Sequence, residues 1–504
     1  MRRGARTAPT IRRSGALDGP SRRPIGDNGS VPGDVRVRFS PAPSGSLHVG
    51  SARTALFNWL FARHHDGEFL LRIEDTDRAR TREEWVAGVE EMLRWLCTTW
   101  DGGVVRQSQR FSEYRAAAEQ LLDEGAAYEC FCTPEEITAR NEAARAAGRS
   151  PGYDGHCRNL TAAERAAMAA EGRPRSLRFR TPDDGTSMFL DLVRGEVRVD
   201  WATISDFVIV RADGTPLFFL ANAVDDLEMR ITHVIRGEDL LDSTHRILAL
   251  RAALDPRPPP EYAHLPLIVG PDRAKLSKRH GAVSLEELRD AGYLPVALRN
   301  YLALLGWAPE DGREILDTDE IVGAFDLEDV THAAAAFDYE KLDWLNGEWI
   351  RRLPLRELEA SILPLATARY GDRLDRQRLP AALELGQERS STLARLLEQS
   401  DFLFVDEADF EIDPSAWDRL VGTDRIDEVL AAVERYLEQL RDGEPVDLLP
   451  VLDDLGVNRR KTMPAVYAAI EGRPAGLPLF DSIRVLGREV ALARVRRARE
   501  RLGH

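Results

Sequence analysis

Lysine is almost missing from this 504-residue chain: of its 68 basic residues only Lys275, Lys278, Lys341 and Lys461 are lysine. A bias of that kind tracks genome composition rather than folding. Where a lysine survives, chemistry has a claim on it, and two of the four stand three residues apart. Cysteine is equally scarce, at Cys97, Cys130, Cys132 and Cys157. With no disulfide-dense spacing and no secretory pattern, a reducing, cytoplasmic setting is expected. No run approaches the roughly 20 apolar residues that cross a membrane, so none is expected to. Positive charge is outweighed too, with a formal net charge of −16. That excludes a generally basic surface but not a local basic cluster. The run Arg488, Arg494, Arg496, Arg497, Arg499 and Arg501 is one candidate, a solvated helix face being the plain alternative.

What is present is a globular composition, 43% hydrophobic and 30% charged, long enough for about three to five domains. Residues 1–34 are Arg-, Pro- and Gly-rich without apolar periodicity, and are expected to be a disordered N-terminal extension. An organellar presequence or a misassigned start would account for the same composition. Ordered structure is expected from Val35, where Val35, Val37 and Phe39 alternate as in a strand. Ala52, Ala55, Leu56, Trp59 and Leu60 then recur at helical spacing over Ser51–His64, and a second strand follows at Phe69–Ile73. Strand, Gly-containing turn, helix and strand open a βαβ unit of a parallel-sheet nucleotide fold. Strands are expected at Leu177–Arg180, Phe207–Arg211 and Ile231–Ile235, and a helix at Ser243–Leu254. Beyond about residue 350 helix dominates, as in Arg425–Leu440 and Leu486–Leu502, and no internal repeat is apparent.

Two short motifs carry chemistry. Ser46-Leu47-His48-Val49-Gly50-Ser51 lies between the first strand and the first helix. A helix N-terminus offers free N–H groups and partial positive charge, which suit a triphosphate. Gly50 lets a flat base approach the backbone, and His48 can donate to phosphate oxygens. By itself a His-X-Gly triplet is unremarkable. The second motif is Lys275-Leu276-Ser277-Lys278-Arg279, whose mobile cations can follow charge toward a departing pyrophosphate. A solvated basic loop is the bland reading.

Together these motifs resemble the two signatures of class I aminoacyl-tRNA synthetases. Arg38-Phe39-Ser40-Pro41-Ala42-Pro43-Ser44-Gly45 is similar to the opening motif of the glutamyl enzymes. So are Arg72-Ile73-Glu74-Asp75-Thr76-Asp77, Val224-Asp225-Asp226 and Ile231 through Asp239. The likeness is ordered from about Val35 to Trp349, and weaker beyond. It implies catalytic roles for His48, Gly50, Lys275 and Lys278, with Ser51, Ser277 and Arg279 also at ATP. It implies a glutamate pocket of Arg38, Ser40, Ala42, Glu74, Phe218, Asn222 and Arg236. A guanidinium has only donors, so an arginine pair favours glutamate's carboxylate over glutamine's amide. Without the family match, Arg72, Glu74 and Asp77 would read as a surface charge run. Ala42 stands where the family usually has Ser, and Phe218 where it usually has Tyr; each change removes a hydroxyl from the implied pocket. Tyr467 stands where the C-terminal region often has Arg.

Cys130-Phe131-Cys132 and Tyr153-Asp154-Gly155-His156-Cys157 offer three thiols to a zinc ion, buried free thiols being the alternative. Some glutamyl enzymes hold zinc with Cys-X-Cys and Tyr-X3-Cys, which favours Cys130, Cys132, Tyr153 and Cys157 over a set with His156. The resemblance implies an α/β Rossmann-like catalytic domain (35–125 and 219–260) interrupted by an acceptor-binding insertion (126–218). A connecting domain (261–349) and an all-α anticodon-binding region (350–504) follow. It implies a monomer that uses ATP, Mg2+, a structural Zn2+, L-glutamate and tRNA(Glu), with charging of tRNA(Gln) left open. The rival readings are a tRNA-binding or regulatory paralogue, a ligase with altered amino-acid specificity, a glutaminyl enzyme, and a paralogue that glutamylates a tRNA base. About 150 helical C-terminal residues argue against the last.

Overall fold

The protein is described by a computed structural model at residues 35–77, 79–281, 284–441 and 444–503, the Lys278 side chain excepted. The expected disorder over 1–34 therefore falls outside the described residues. Twelve strands follow in order: β1 (Arg36–Phe39), β2 (Glu68–Ile73), β3 (Val105–Arg106), β4 (Ala127–Cys130), β5 (Ser176–Phe179) and β6 (Thr186–Asp191) come first. Then come β7 (Gly195–Asp200), β8 (Phe207–Val210), β9 (His233–Gly237), β10 (Glu261–Leu265), β11 (Ile268–Val269) and β12 (Ala335–Ala336).

β1 pairs in parallel with β2, and β2 with β3; β9 and β10 form a second parallel pair. The Thr232 amide donates to the Arg36 carbonyl at 2.9 Å, setting the start of β9 beside β1. The strands thus run in the order β3-β2-β1-β9-β10, reversing between β1 and β9. In such doubly wound, Rossmann-like sheets a ligand crevice opens beyond the carboxyl ends of the strands where the order reverses. Here those ends are Phe39 and Gly237. The helix Val49–His64 buries Ala52, Ala55, Leu56, Phe57, Leu60 and Phe61 in the core shared with this sheet. It begins two residues before the periodicity predicts, because His48 caps it.

The segment between β3 and β9 makes two things. β4, β5 and β8 form a separate antiparallel sheet. The β6–β7 hairpin instead joins the main sheet, β6 lying parallel to β10 with Asp191 opposite Tyr262.

Beyond β12 the described residues form helices and short turns. Their core is joined to the first through the helix Pro295–Leu304, whose Leu298, Tyr301 and Leu302 face one core while Ala297 and the capping Leu294 face the other. At this junction the Leu393 amide donates to the Gly292 carbonyl at 2.9 Å. Gly292 is required there: its φ is +84°, and a Cβ would stand 2.4 Å from the Ala394 nitrogen.

Two C-terminal expectations change. The helix predicted over Leu486–Leu502 begins at Arg488, because Gly487, at φ 93°, separates it from the preceding helix Leu479–Leu486. The arginine run is divided: Arg496, Arg497 and Arg501 are exposed, Arg488 and Arg499 are half-buried, and only Arg494 is buried. Arg494 is buried, donating to the carbonyls of Ile470 (2.8 Å) and Phe402 (2.9 Å) and pairing with Glu407. Arg496 and Arg499 pair with Glu434, while Arg501 stacks over Trp417 at 4.0 Å. Among the described residues no helix is long and apolar enough to cross a membrane.

Candidate active site

At the sheet's crevice a cleft of ≈ 760 Å³ is lined by Arg38, Ser40, Ala42, His48, Gly50, Ser51, Glu74, Phe218, Asn222, Arg236, Lys275 and Ser277, among others. Two stretches of chain more than 200 residues apart are thereby brought face to face. Of the sequence-predicted residues, Arg279 is left outside: it is exposed and pairs with Asp272 at 2.8 Å. Lys278 opens a short 3-10 turn, Lys278–His280, and its side chain lies outside the described residues.

One end of the cleft is built on the helix N-terminus. His48 Nδ1 accepts from the Gly50 amide at 3.1 Å, satisfying one of the free donors of the first turn. With Nδ1 used as an acceptor, the neutral ring carries its proton on Nε2. Burial, reinforced by Lys275 and opposed by Glu287, lowers the imidazole pKa and favours that neutral form. The Leu47 carbonyl accepts from the Leu285 amide at 3.0 Å, tying this turn to the chain that follows the lysine loop. The loop itself is pinned by buried Leu276, whose amide donates to the Ile268 carbonyl at 3.2 Å. Arg53, one turn into the helix, donates to the carbonyls of Leu305 (3.1 Å) and Pro266.

The other end is a buried charge network. Asp226 accepts from Arg38 Nε at 3.0 Å and from Arg72 Nη1 at 2.6 Å. Arg72 also reaches Glu74 at 3.3 Å, and Asn222 donates to the same Glu74 oxygen at 2.9 Å. Asp225, behind them, is held by Gln107 (2.8 Å), Arg110 (2.8 Å) and the Tyr114 hydroxyl (2.9 Å). Burial would discharge Arg72, but Asp226, Glu74 and Asp225 outweigh it and keep the guanidinium charged. The same arginines hold the Asp226 carboxyl well below its usual range against the cost of burial. Burial pushes the Glu74 carboxyl up in spite of Arg72 and Arg38. Arg72 is the residue the sequence reading missed: it has no exposed surface, where a surface charge run was the reading open without the family. Its place on a strand buried on both faces was the available signal, since charge on such a strand needs a partner.

Arg236 differs from its neighbours in having only neutral direct partners. Its Nε donates to His264 at 3.1 Å, and Nη2 to Thr244 at 2.8 Å and to the Leu240 carbonyl at 3.2 Å. Burial pulls its pKa down to about 10. Its Nη1, with Ser40 Oγ and Asn222 Oδ1, is buried without a hydrogen-bond partner. All three belong to residues that line the cleft.

In the antiparallel sheet's neighbourhood, the Sγ atoms of Cys130, Cys132 and Cys157 lie within 4.8 Å of one another. The Tyr153 hydroxyl is 3.4 Å from Cys130 Sγ and 3.9 Å from Cys132 Sγ, whereas His156 is exposed. Arg140 and Arg178 donate to the sulfurs of Cys132 (3.1 Å) and Cys130 (3.3 Å).

Residues 34–344 match the family model for the catalytic domain of class I tRNA synthetases (E and Q), and residues 354–499 match that of the anticodon binding domain. The chain is 45% identical over 479 residues to the glutamate–tRNA ligase of Frankia casuarinae, spanning 93% of this chain and 99% of that one. It is 40% identical over 474 residues to glutamate–tRNA ligase 1 of Caldanaerobacter subterraneus subsp. tengcongensis, spanning 92% and 97%. A crystal structure of a glutamate tRNA ligase from Elizabethkingia meningosepticum in complex with its amino acid superposes with a TM-score of 0.80 at 30% identity, covering 93% of this chain and 99% of that chain.

The buried network makes a direct prediction. Arg72→Leu leaves three carboxylates short of a partner, and should destabilise the catalytic half by about 3–5 kcal/mol. Urea unfolding followed by intrinsic fluorescence checks this; an unchanged midpoint would mean that the network contributes nothing to stability.

Proposed function

Because the chain belongs to the class I tRNA synthetases for glutamate and glutamine, we propose that its cleft activates glutamate with ATP and passes the glutamyl group to the 3′-terminal adenosine of tRNA(Glu). The observation that carries this reading is Arg236. A buried guanidinium that lines the cleft, with neutral partners and an unpartnered Nη1, calls for an anionic ligand. Arg38, whose Nε and Nη2 engage Asp226, also lines the cleft. A carboxylate held by Arg236 gains charge-assisted bonds and neutralises the buried cation, whereas an amide offers one neutral acceptor and no counter-charge. Glu74, held by Asn222 and Arg72, is placed to receive an ammonium group.

In the first step the glutamate α-carboxylate forms a bond to the α-phosphorus of ATP, and pyrophosphate leaves. Magnesium accompanies ATP as its counter-ion. The carboxylate is already a nucleophile, so no general base is needed. The chain supplies position and charge: His48 Nε2–H, the amides that open the Val49–His64 helix, and Lys275 across the cleft. Lys278 carries its role from the sequence motif alone. In the second step the ribose hydroxyl attacks the mixed anhydride and AMP departs. His48→Ala and Lys275→Ala should each slow ATP–pyrophosphate exchange by about 10²–10³, with little change in the KM for ATP. Arg236→Gln should instead raise the KM for glutamate at least about tenfold. Wild-type behaviour of all three variants would remove the assignment.

The thiol cluster fits zinc. Tetrahedral Zn–S bonds of about 2.3 Å separate sulfurs by about 3.8 Å, close to the 3.5 Å between Cys132 and Cys157. Cys130, Cys132, Cys157 and Tyr153 would hold the ion, whose contribution is to folding rather than to the reaction. Cys132→Ser should lower the metal content of purified protein from about one zinc per chain and destabilise the 126–218 segment. Loss of zinc in His156→Ala with retention in Tyr153→Phe would move the fourth ligand to His156.

Ala42 and Phe218 favour a second reading, altered affinity or specificity for the amino acid. Both line the cleft without a hydroxyl, and one lost bond to a charged group is worth about 1.5–3 kcal/mol. Phe218→Tyr, alone and with Ala42→Ser, should lower the KM for glutamate while leaving that for ATP nearly unchanged. An exchange assay across amino acids decides between the readings, since faster exchange with any amino acid other than glutamate overturns the substrate assignment.

A further inference from the structure

We propose that Asp191 and His264 are positioning residues that aim the Arg236 guanidinium, so that affinity for the amino acid depends on the hairpin carrying Asp191. The inference rests on the reading above, in which Arg236 holds a substrate carboxylate.

The hydrogen bonds run in one direction. Asp191 Oδ1 accepts from the amides of Val193 (3.0 Å) and Arg194 (2.9 Å), which close the turn between β6 and β7. Its Oδ2 accepts from His264 Nδ1 at 2.6 Å, and the His264 amide reaches both oxygens, at 3.2 and 3.1 Å. Hydrogen bonds from His264, with those amides, hold the carboxyl ionised against its burial. An ionised carboxylate can only accept, so the His264 proton sits on Nδ1 and Nε2 carries a lone pair. That lone pair accepts Arg236 Nε–H at 3.1 Å. Thr244 and the Leu240 carbonyl take Nη2, which leaves Nη1 as the one nitrogen without a partner on a side chain that lines the cleft.

The imidazole has no freedom to do otherwise. His264 is fully buried, its ring parallel to that of Tyr262 with centroids 6.0 Å apart and an interplanar angle of 6°, and the Phe189 centroid is 6.2 Å away. The hairpin turn is fixed to the substrate strand a second time. Arg194 pairs with Glu238, one residue past β9, and Glu238 accepts from the Leu267 amide at 2.8 Å. Packing alone would call for an apolar filler in this position. A carboxylate, an imidazole and a guanidinium in series specify a tautomer that engages Nε of Arg236, and with Nη2 on Thr244 and Leu240 only Nη1 is left over.

Asp191→Asn tests the direction of the chain at constant size. Its carbonyl oxygen can still accept the turn amides, but its NH₂ now faces His264 Nδ1. The imidazole proton then moves to Nε2, where the Thr244 hydroxyl at 3.2 Å is the acceptor within reach, and Arg236 Nε–H loses its own. In the full-length protein the KM for glutamate should rise roughly ten- to a hundred-fold, with the KM for ATP unchanged. His264→Gln offers an N–H to Asp191 and an oxygen to Arg236, and should hold the KM for glutamate near wild type, whereas His264→Leu should raise it as Asp191→Asn does. This pair decides the matter even if Asp191→Asn fails to fold. Equal KM values for glutamate in the Gln and Leu variants overturn the proposal, as does a parallel shift in the KM for ATP, which marks a merely structural role. If Arg236→Gln raises the KM for glutamate but Asp191→Asn and His264→Leu do not, the positioning chain is wrong and the Arg236 assignment stands. If Arg236→Gln is itself unaffected, the assignment beneath it has failed.

Discussion

Asp226 accepts hydrogen bonds from two arginines on neighbouring strands, Arg38 on β1 and Arg72 on β2, at 3.0 and 2.6 Å. Much of the catalytic half depends on that shared carboxylate. An isolated ion buried at this depth is disfavoured by several kcal/mol, so each member is tolerable only while the others are in place. The helix Phe218–Glu228, which carries Asp226, is thereby locked across the carboxyl ends of the two strands. Asn222 and Phe218, one and two turns earlier on the same helix, are brought to the cleft as a consequence. The network is scaffolding first, its arginines matched to carboxylates before any ligand arrives, and it offers Glu74 to the cleft at its edge.

Arg236 follows a different logic. Its neighbours neutralise one another in pairs, but it is buried among neutral acceptors, at a cost that the fold does not recover on its own. The pattern divides labour among the arginines. Those opposite carboxylates fix the shape of the pocket, and the one without a carboxylate awaits it from the ligand. A single lost neutral partner leaves most of a guanidinium's hydration unreplaced, so the supporting residues matter as much as the cation they support.

The sequence carried the fold and most of the cleft because the relevant signals were local. Alternation at Val35–Phe39, helical spacing after Ser51 and the two short motifs each fall within a few residues, and each appears close to its expected place. The start of the first helix was misjudged by two residues because a histidine is an unusual cap. What was not legible depends on contacts distant in sequence. Arg72 meets Asp226 across 154 residues, and Arg494 meets Glu407 across 87. In a list of residues both look like solvated charge. The motif Val224-Asp225-Asp226 was recognisable by likeness, yet nothing local says that one of its carboxylates joins two strands. Gly487 was readable in principle, and helical periodicity on either side concealed it. Arg279, assigned to the nucleotide by its motif, pairs with Asp272 at the surface in the short turn after Ser277.

The segment between β3 and β9 ties these levels together. It contributes the thiol cluster beside the β4-β5-β8 sheet, and it returns the β6–β7 hairpin to the main sheet at Asp191. Along β6 the pleat alternates: Ser187, Phe189 and Asp191 point inward, while Met188 and Leu190 are 53% and 67% exposed. A one-residue slip in this register would turn Asp191 to solvent and bring Leu190 to His264. Register in a hairpin is set by its turn, and here the turn amides of Val193 and Arg194 are bound by Asp191 itself. The carboxylate that orients the histidine therefore also fixes the register that brings it there. Folding of the hairpin and orientation of the proposed substrate-binding arginine are, on this geometry, one event rather than two.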